Sequence, residues 1–196
     1  MDVQEAIAAR HSVRKFSPEP VSADAVREII KAARLAPSGC NAQPWKFYAV
    51  TGRTMREKLK AAKAFQQDFV YDAPAIIVCC GLPDSYSGRH GGEYQIREGS
   101  VPEDSRARAE MFSVVEGKAV LRTVRDVSIA AAFMVLRATE LGLGTCFIGL
   151  INEAVLHQVL GIPDEWVIPF VVIAGHAREN IARRPRKALE DIFISN

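Results

Sequence analysis

An α+β fold is what this chain of 196 residues predicts, on three observations. Short apolar runs of strand length occur at Lys46–Val50, Ala75–Cys80, Thr145–Leu150 and Val167–Ala174. Between them lie amphipathic stretches with helical spacing. The strand runs are too scattered for a regular β-α-β alternation, which argues against a doubly wound parallel sheet. Neither an internal repeat nor a linker divides the chain. Against a prior of ~150 residues per domain, residues 1–196 read as one domain with an excursion.

The elements follow in order. Asp2 caps a first helix to about Ala9, with Val3, Ala6, Ile7 and Arg10 spaced along one face. Arg10-His11-Ser12-Val13-Arg14-Lys15-Phe16 then runs to the punctuation of Pro18 and Pro20. Ser22 caps a second helix whose stripe is Val26, Ile29, Ile30 and Ala33, and Pro37 stops it. Ala36-Pro37-Ser38-Gly39-Cys40-Asn41-Ala42-Gln43-Pro44-Trp45 leads into the first strand. Thr51-Gly52 breaks that strand before a helix reaching about Phe65. The uninterrupted run Ala75–Cys80 suits a strand covered on both faces. From Leu82 to Met111 glycines, prolines and charges replace periodicity, as in a lid, with a helix expected to begin within residues 102–116. The longest helix spans Val120 to Leu141 and is apolar on most faces, which places it in a core or an interface. Asn152 caps a helix to about Leu160, and the last strand follows Pro163.

Composition narrows the function classes. A net charge of +2 is too small to argue for nucleic acid or a membrane surface. The run Val127–Leu136 is about half the ~20 residues a bilayer helix needs. The first residues show no basic stretch followed by an apolar one, so a cytoplasmic protein is expected. Cys40, Cys79, Cys80 and Cys146 form no C-x-x-C pair and fit reduced thiols. His11, His90, His157 and His176 have no ligand spacing, so no metal site is expected.

Four places bear on chemistry. In an extended segment Arg10, Ser12 and Arg14 share a face: two guanidinium groups and a hydroxyl that suit a phosphate. The same residues also read as the solvated basic end of a helix. Arg183-Arg184-Pro185-Arg186-Lys187 is a second cation cluster, open to an anion site, a solvated tail or a nucleic-acid patch. Gly142-Leu143-Gly144-Thr145-Cys146-Phe147-Ile148-Gly149 is not the dinucleotide fingerprint, because its third glycine comes too late and a helix precedes it. The stretch Ala36–Trp45 offers Ser38, Asn41, Gln43 and backbone amides without an acid or base. It reads either as turn chemistry or as a wall for a flat polar heterocycle. Since no nucleophile elbow, Cys-His pair or carboxylate pair stands out, an enzyme built on this chain leaves the difficult chemistry to a cofactor.

In sequence order, these residues resemble the FMN-dependent nitroreductase family. The resemblance rests on Glu5-Ala6-Ile7-x-x-Arg10-x-Ser12-Val13-Arg14-x-Phe16, on Ala36-Pro37-Ser38-Gly39-x-Asn41-x-Gln43-Pro44-Trp45, and on Asp72-Ala73-Pro74 before an apolar strand. It is completed by Leu141–Gly149 and by Pro185-Arg186-Lys187-x-Leu189-Glu190-Asp191-Ile192, so it covers nearly the whole chain.

The resemblance implies a three-layer α-β-α sandwich with a mostly antiparallel sheet, in an intertwined homodimer with FMN at the subunit interface. By that analogy Arg10, His11, Ser12 and Arg14 hold the phosphate and ribityl chain, and Arg186 and Arg184 complete the anion site. Pro37, Ser38, Gly39, Asn41 and Gln43 approach the flavin ring from the partner. Gln66 falls at the pyrimidine edge, and the backbone of Phe147, Ile148, Gly149 and Leu150 passes the ring with an N–H near N5. Phe69 stands where some members carry a lysine, Gly39 replaces a frequent serine, and Cys40 takes a substrate-side position. The implied activity is ping-pong hydride transfer from NADH or NADPH to an electron-poor acceptor such as a nitroaromatic or quinone. Alternatives are a specialised flavoenzyme of the same fold (enoate reductase, dehalogenase or flavin-destroying) or a non-catalytic flavin-binding, redox-sensing protein.

Overall fold

The computed structural model describes residues 1–86, 118–179 and 184–195. Among these residues four strands form one sheet: β1 (Trp45–Val50), β2 (Ala75–Gly81), β3 (Gly144–Ile148) and β4 (Val167–Gly175). Their order across the sheet is β1-β2-β4-β3, and each neighbouring pair is antiparallel. Among the described residues five α-helices accompany it: α1 (Val3–Ala9), α2 (Ala23–Arg34), α3 (Arg53–Ala61), α4 (Lys118–Glu140) and α5 (Glu153–Leu160). The α+β expectation therefore holds. So do the expected caps: Asp2 forms a capping box with Glu5, Ser22 accepts from the Ala25 amide, and Asn152 accepts from the Val155 amide.

Strand alternation builds two cores, one on each side of the sheet. Ile76, Val78, Cys80, Val171 and Ile173 point to one side, with Leu59 of α3 and Leu156 of α5. Ala75, Ile77, Cys79, Val172 and Ala174 point to the other, where Val26, Ile29 and Ala33 of α2 meet Val127, Ala130, Met134 and Ala138 of α4. All seven residues of β2 are buried, as a central strand covered on both faces requires. Cys79, Cys80 and Cys146 are free, and burial pushes the Cys80 thiol up to about 12, so these are inert packing residues. The side chain of Cys40 lies outside the described set.

Two boundaries differ from expectation. Helix α3 stops at Ala61, before the expected Phe65, because Lys63 turns left-handed (φ 56°) and the Ala64 amide reaches back to the Leu59 carbonyl at 3.0 Å. This is a Schellman closure with lysine where glycine is usual. It turns Ala64 and Phe65 into the core. Of the expected lid, residues 83–86 form a 3-10 turn, whereas residues 87–111 and the helix expected within 102–116 lie outside the described residues. Among the described residues no helix is long and apolar enough to cross a membrane.

Candidate functional site

The segment after α1 is extended, as the alternation of Arg10, Ser12 and Arg14 required, and it lies along the outer edge of β3. Ser12 pairs with Thr145 in an isolated parallel bridge, and the Val13 amide donates to the Thr145 carbonyl at 2.9 Å. Val13 is fully buried, which leaves its neighbours Ser12 and Arg14 to the other side of the chain. All three polar residues act on one neighbour. Burial raises the Cys146 thiol pKa, and the charge of Arg14, the hydroxyl of Ser12 and the charge of Arg10 oppose that rise. Two arginines and a serine thus lie on one segment beside the start of β3, a stretch of the right sign for an anion.

Why the segment fits so closely is visible at Gly144. A Cβ there would sit 2.5 Å from Val13 Cγ2 and 2.9 Å from Val13 Cβ. Gly144→Ala is expected to push the 10–14 segment off the sheet edge at a cost of about 1–3 kcal/mol. A lowered urea midpoint in chemical denaturation checks it; an unchanged midpoint would mean the edge has slack.

Beyond β3 the wall continues. The Gln66 amide donates to the Leu150 carbonyl at 3.3 Å, Phe65 pairs with Ile151, and the Asn152 amide donates to the Ala64 carbonyl at 2.8 Å. These bonds bring Gln66 beside Phe147–Leu150, although 84 positions separate it from Leu150. Phe147 and Leu150 are exposed, Phe147 held edge-on by Phe170 at 5.2 Å. A Cβ at Gly149 would meet nothing within 4 Å, so open space lies over the backbone there. An exposed apolar step with open space over its backbone, next to a carboxamide, suits a flat heterocycle. One further observation fits a bound group. His11 Nδ1 lies 2.9 Å from the Ala9 carbonyl, while its Nε2 is shielded from solvent without a hydrogen-bond partner among the described residues.

The stretch Ala36–Trp45 is not part of this wall. It enters β1, at the opposite edge of the sheet, three strand spacings or ~14 Å from β3. Residues Gly39–Asn41 form a 3-10 turn. Asn41 (φ 52°) and Gln43 (φ 45°) both sit in the left-handed region, which is unusual for residues with a side chain and marks stored strain. The Ser38 hydroxyl accepts from the Gln43 amide at 2.9 Å and so holds the strained bend shut. Arg184 and Arg186 lie on the exposed tail, where Arg186 donates to the Arg184 and Pro185 carbonyls at 3.2 Å. Arg183 lies outside the described residues.

Two participants were not foreseen. Glu179 Oε1 accepts the backbone amides of Arg14 at 2.6 Å and Lys15 at 3.0 Å, and these bonds hold its carboxyl below the usual range. It leaves the arginine side chains, not the amides, to serve an anion. Asp126 of α4 is the second: it is 1% exposed and accepts from Gly39, Tyr86 and Arg125. Burial pushes its carboxyl up, but the hydrogen bonds from Arg125, Tyr86 and Gly39 outweigh that and leave it below the usual range. The sequence signal was there: Asp126 lies one helical turn from the buried Thr123 and Ala130. No cluster of metal-ligating side chains occurs among the described residues.

The model of the nitroreductase family matches residues 7–176. A relative from Methanothermobacter thermautotrophicus described as an NADH dehydrogenase or NAD(P)H nitroreductase is 33% identical, over 94% of this chain and 82% of its own. An oxygen-insensitive NADPH nitroreductase from Helicobacter pylori is 29% identical, over 77% of this chain and 75% of its own. Among solved structures, a protein from Exiguobacterium sibiricum described as a nitroreductase, in complex with FMN, superposes with a TM-score of 0.82 at 21% identity, covering 100% of this chain and 98% of that one.

Proposed function

Because the chain belongs to the nitroreductase family, we propose that it is an FMN-dependent oxidoreductase that takes hydride from NADH or NADPH and delivers it, by a ping-pong route, to an electron-poor acceptor of the nitroaromatic or quinone class. The whole chain acts as one FMN-binding domain, and the active form is a homodimer. When bound, FMN supplies the hydride acceptance and release for which this chain has no side chains of its own.

The observation that carries the reading is the split of the site between the two edges of one sheet. The anion cradle of Arg10, Ser12 and Arg14 and the open step at Phe147–Leu150 lie along β3. The strained carboxamide loop lies at β1. One chain therefore presents two half-sites facing different ways, and a two-fold pair of chains joins each cradle to a loop from its partner. The apolar tail supports the same assembly: Leu189, Ile192, Phe193 and Ile194 are all exposed in the isolated chain.

Within that assembly the residues have distinct tasks. Arg10 and Arg14 hold the phosphate, Ser12 and His11 hydrogen-bond to the phosphate end, and Arg186 with Arg184 arrives from the tail. Gln66 and the backbone of Phe147, Ile148, Gly149 and Leu150 line the ring, and amides in that stretch favour the reduced, anionic ring. Pro37, Ser38, Gly39, Asn41 and Gln43 close the other side. Solvent supplies protons to the acceptor.

An absorbance spectrum of the purified protein, followed by anaerobic addition of each nicotinamide, tests the reading. Flavin bands that bleach with NADH or NADPH and return on adding a nitroaromatic or a quinone are expected. Protein that carries no flavin and binds no added FMN would overturn it. Bleaching that no acceptor reverses at a useful rate would point to redox sensing instead.

A further inference from the structure

The Ala36–Trp45 loop carries two left-handed residues, and beside the internal Ser38–Gln43 bond it is held by a contact from outside. The turn at Gly39–Asn41 starts without a cap of its own: Ser38 makes no side-chain bond to the turn's first amides, because its hydroxyl is engaged by the Gln43 amide. The Gly39 amide would be an orphan donor. Instead it donates at 2.7 Å to Asp126 Oδ2, on a helix 87 positions away. The same oxygen accepts the Tyr86 hydroxyl at 2.7 Å, and Oδ1 accepts Arg125 Nε at 2.8 Å. Tyr86 is fixed in turn by the Arg122 guanidinium stacked 4.4 Å from its ring centroid.

The helix that delivers this carboxylate is pinned. A Cβ at Gly81 would lie 2.2 Å from Thr123 Cγ2 and 2.9 Å from Val127 Cγ2, so α4 rests on the backbone of β2 with no room between them. Asp126 lies between those two contact residues and cannot drift from the loop unless the helix moves.

We infer that Asp126, locked by Tyr86, is a positioning residue of the flavin site that caps the 39–41 turn across the fold and holds the strained loop in its binding shape. This rests on the proposed role of the loop as a flavin wall. The work is done by the acceptor at the Oδ2 position, not by the negative charge. A carboxamide oxygen placed there keeps both the Gly39 and the Tyr86 bonds and loses only the contact to Arg125, whose side chain is 56% exposed.

The test compares wild type with Asp126→Ala, Asp126→Asn and Tyr86→Phe, using FMN as the probe in each intact dimer. Fluorescence quenching gives the affinity, visible circular dichroism of the bound flavin gives its setting, and far-UV circular dichroism verifies folding. Asp126→Ala is expected to bind FMN roughly tenfold more weakly, with an altered visible spectrum, as one lost buried hydrogen bond dictates. Asp126→Asn should stay within about threefold of wild type, and Tyr86→Phe should weaken binding about threefold. A folded Asp126→Ala with wild-type affinity and spectrum overturns the inference, as does an Asp126→Asn as weak as the alanine variant. If Asp126→Ala does not fold, Tyr86→Phe decides, and wild-type behaviour there overturns it. Wild-type protein that takes up no FMN fails the proposed function instead. The brace is then judged on hydrogen exchange of the Gly39 amide, which Asp126→Ala accelerates about tenfold if the cap holds and leaves unchanged if it does not.

Discussion

Deleting residues 184–196 is expected to convert the protein to a flavin-free monomer. The tail places Leu189 (64%), Ile192 (67%), Phe193 (61%) and Ile194 (86%) in solvent within six residues, far more apolar surface than an isolated chain tolerates without purpose. Burying each against a partner stabilises the pair by about 1.5–3 kcal/mol, and symmetry doubles the set. Ordering two extended arms costs about 1–2 kcal/mol per residue fixed, so a large part of that gain is consumed, yet the arms still weigh heavily in dimer stability. The deletion also removes Arg184 and Arg186, the two tail cations of the proposed anion site. Sedimentation of the truncated protein at micromolar concentration, with absorbance at the flavin band, reads both effects at once. A truncated dimer that keeps its flavin would show that the tail is not needed to hold the pair and that Arg184 and Arg186 are dispensable.

How much of this could be read from the residues depends on distance along the chain. Caps were legible because Asp2, Ser22 and Asn152 act on amides three positions away. Strands were legible because β2 is apolar throughout and bounded by Pro74 and Leu82-Pro83. The order β1-β2-β4-β3 was not, because antiparallel neighbours such as β2 and β4 are almost a hundred residues apart and local pattern says nothing of their pairing. The end of α3 was misjudged for a physical reason too: Lys63 accepts a left-handed conformation usually left to glycine, so the sequence carries no stop signal there.

The same holds at the site. The face shared by Arg10, Ser12 and Arg14 follows from alternation alone, and the bridge of Ser12 to Thr145 beside the buried Val13 agrees with it. Gln66 beside Leu150 came through the family resemblance, since no spacing rule links the two. Glu179 could not be foreseen, because it serves the Arg14 amide from 165 positions away and sits in a stretch with no pattern. Asp126 could have been: an acid on the apolar stripe of the longest helix is costly to bury without partners, and it signals a local structure that supplies them. Its carboxylate faces the very loop that carries Ser38, Asn41 and Gln43.

Arg14→Ala should weaken FMN binding by about 1.5–3 kcal/mol, roughly 10- to 150-fold, the loss of a charge-assisted hydrogen bond to phosphate. The side chain is exposed, and its described bond is a 3.4 Å contact from Nη1 to the Ser12 carbonyl, so folding should change by less than about 0.5 kcal/mol. Two controls isolate the phosphate as the cause. Riboflavin has the same ring and ribityl chain without the phosphate, so its affinity should be the same for wild type and Arg14→Ala. Arg14→Lys keeps the charge but not the planar fork, and it should recover part of the loss. Salt should narrow the gap between wild type and Arg14→Ala, because an exposed guanidinium is screened. Isothermal titration of apoprotein with FMN and with riboflavin, at low and high salt, measures all of these. An Arg14→Ala protein that loses riboflavin as badly as FMN would move Arg14 from the phosphate to the ring; one that loses neither would leave the anion cradle to Arg10 and the tail.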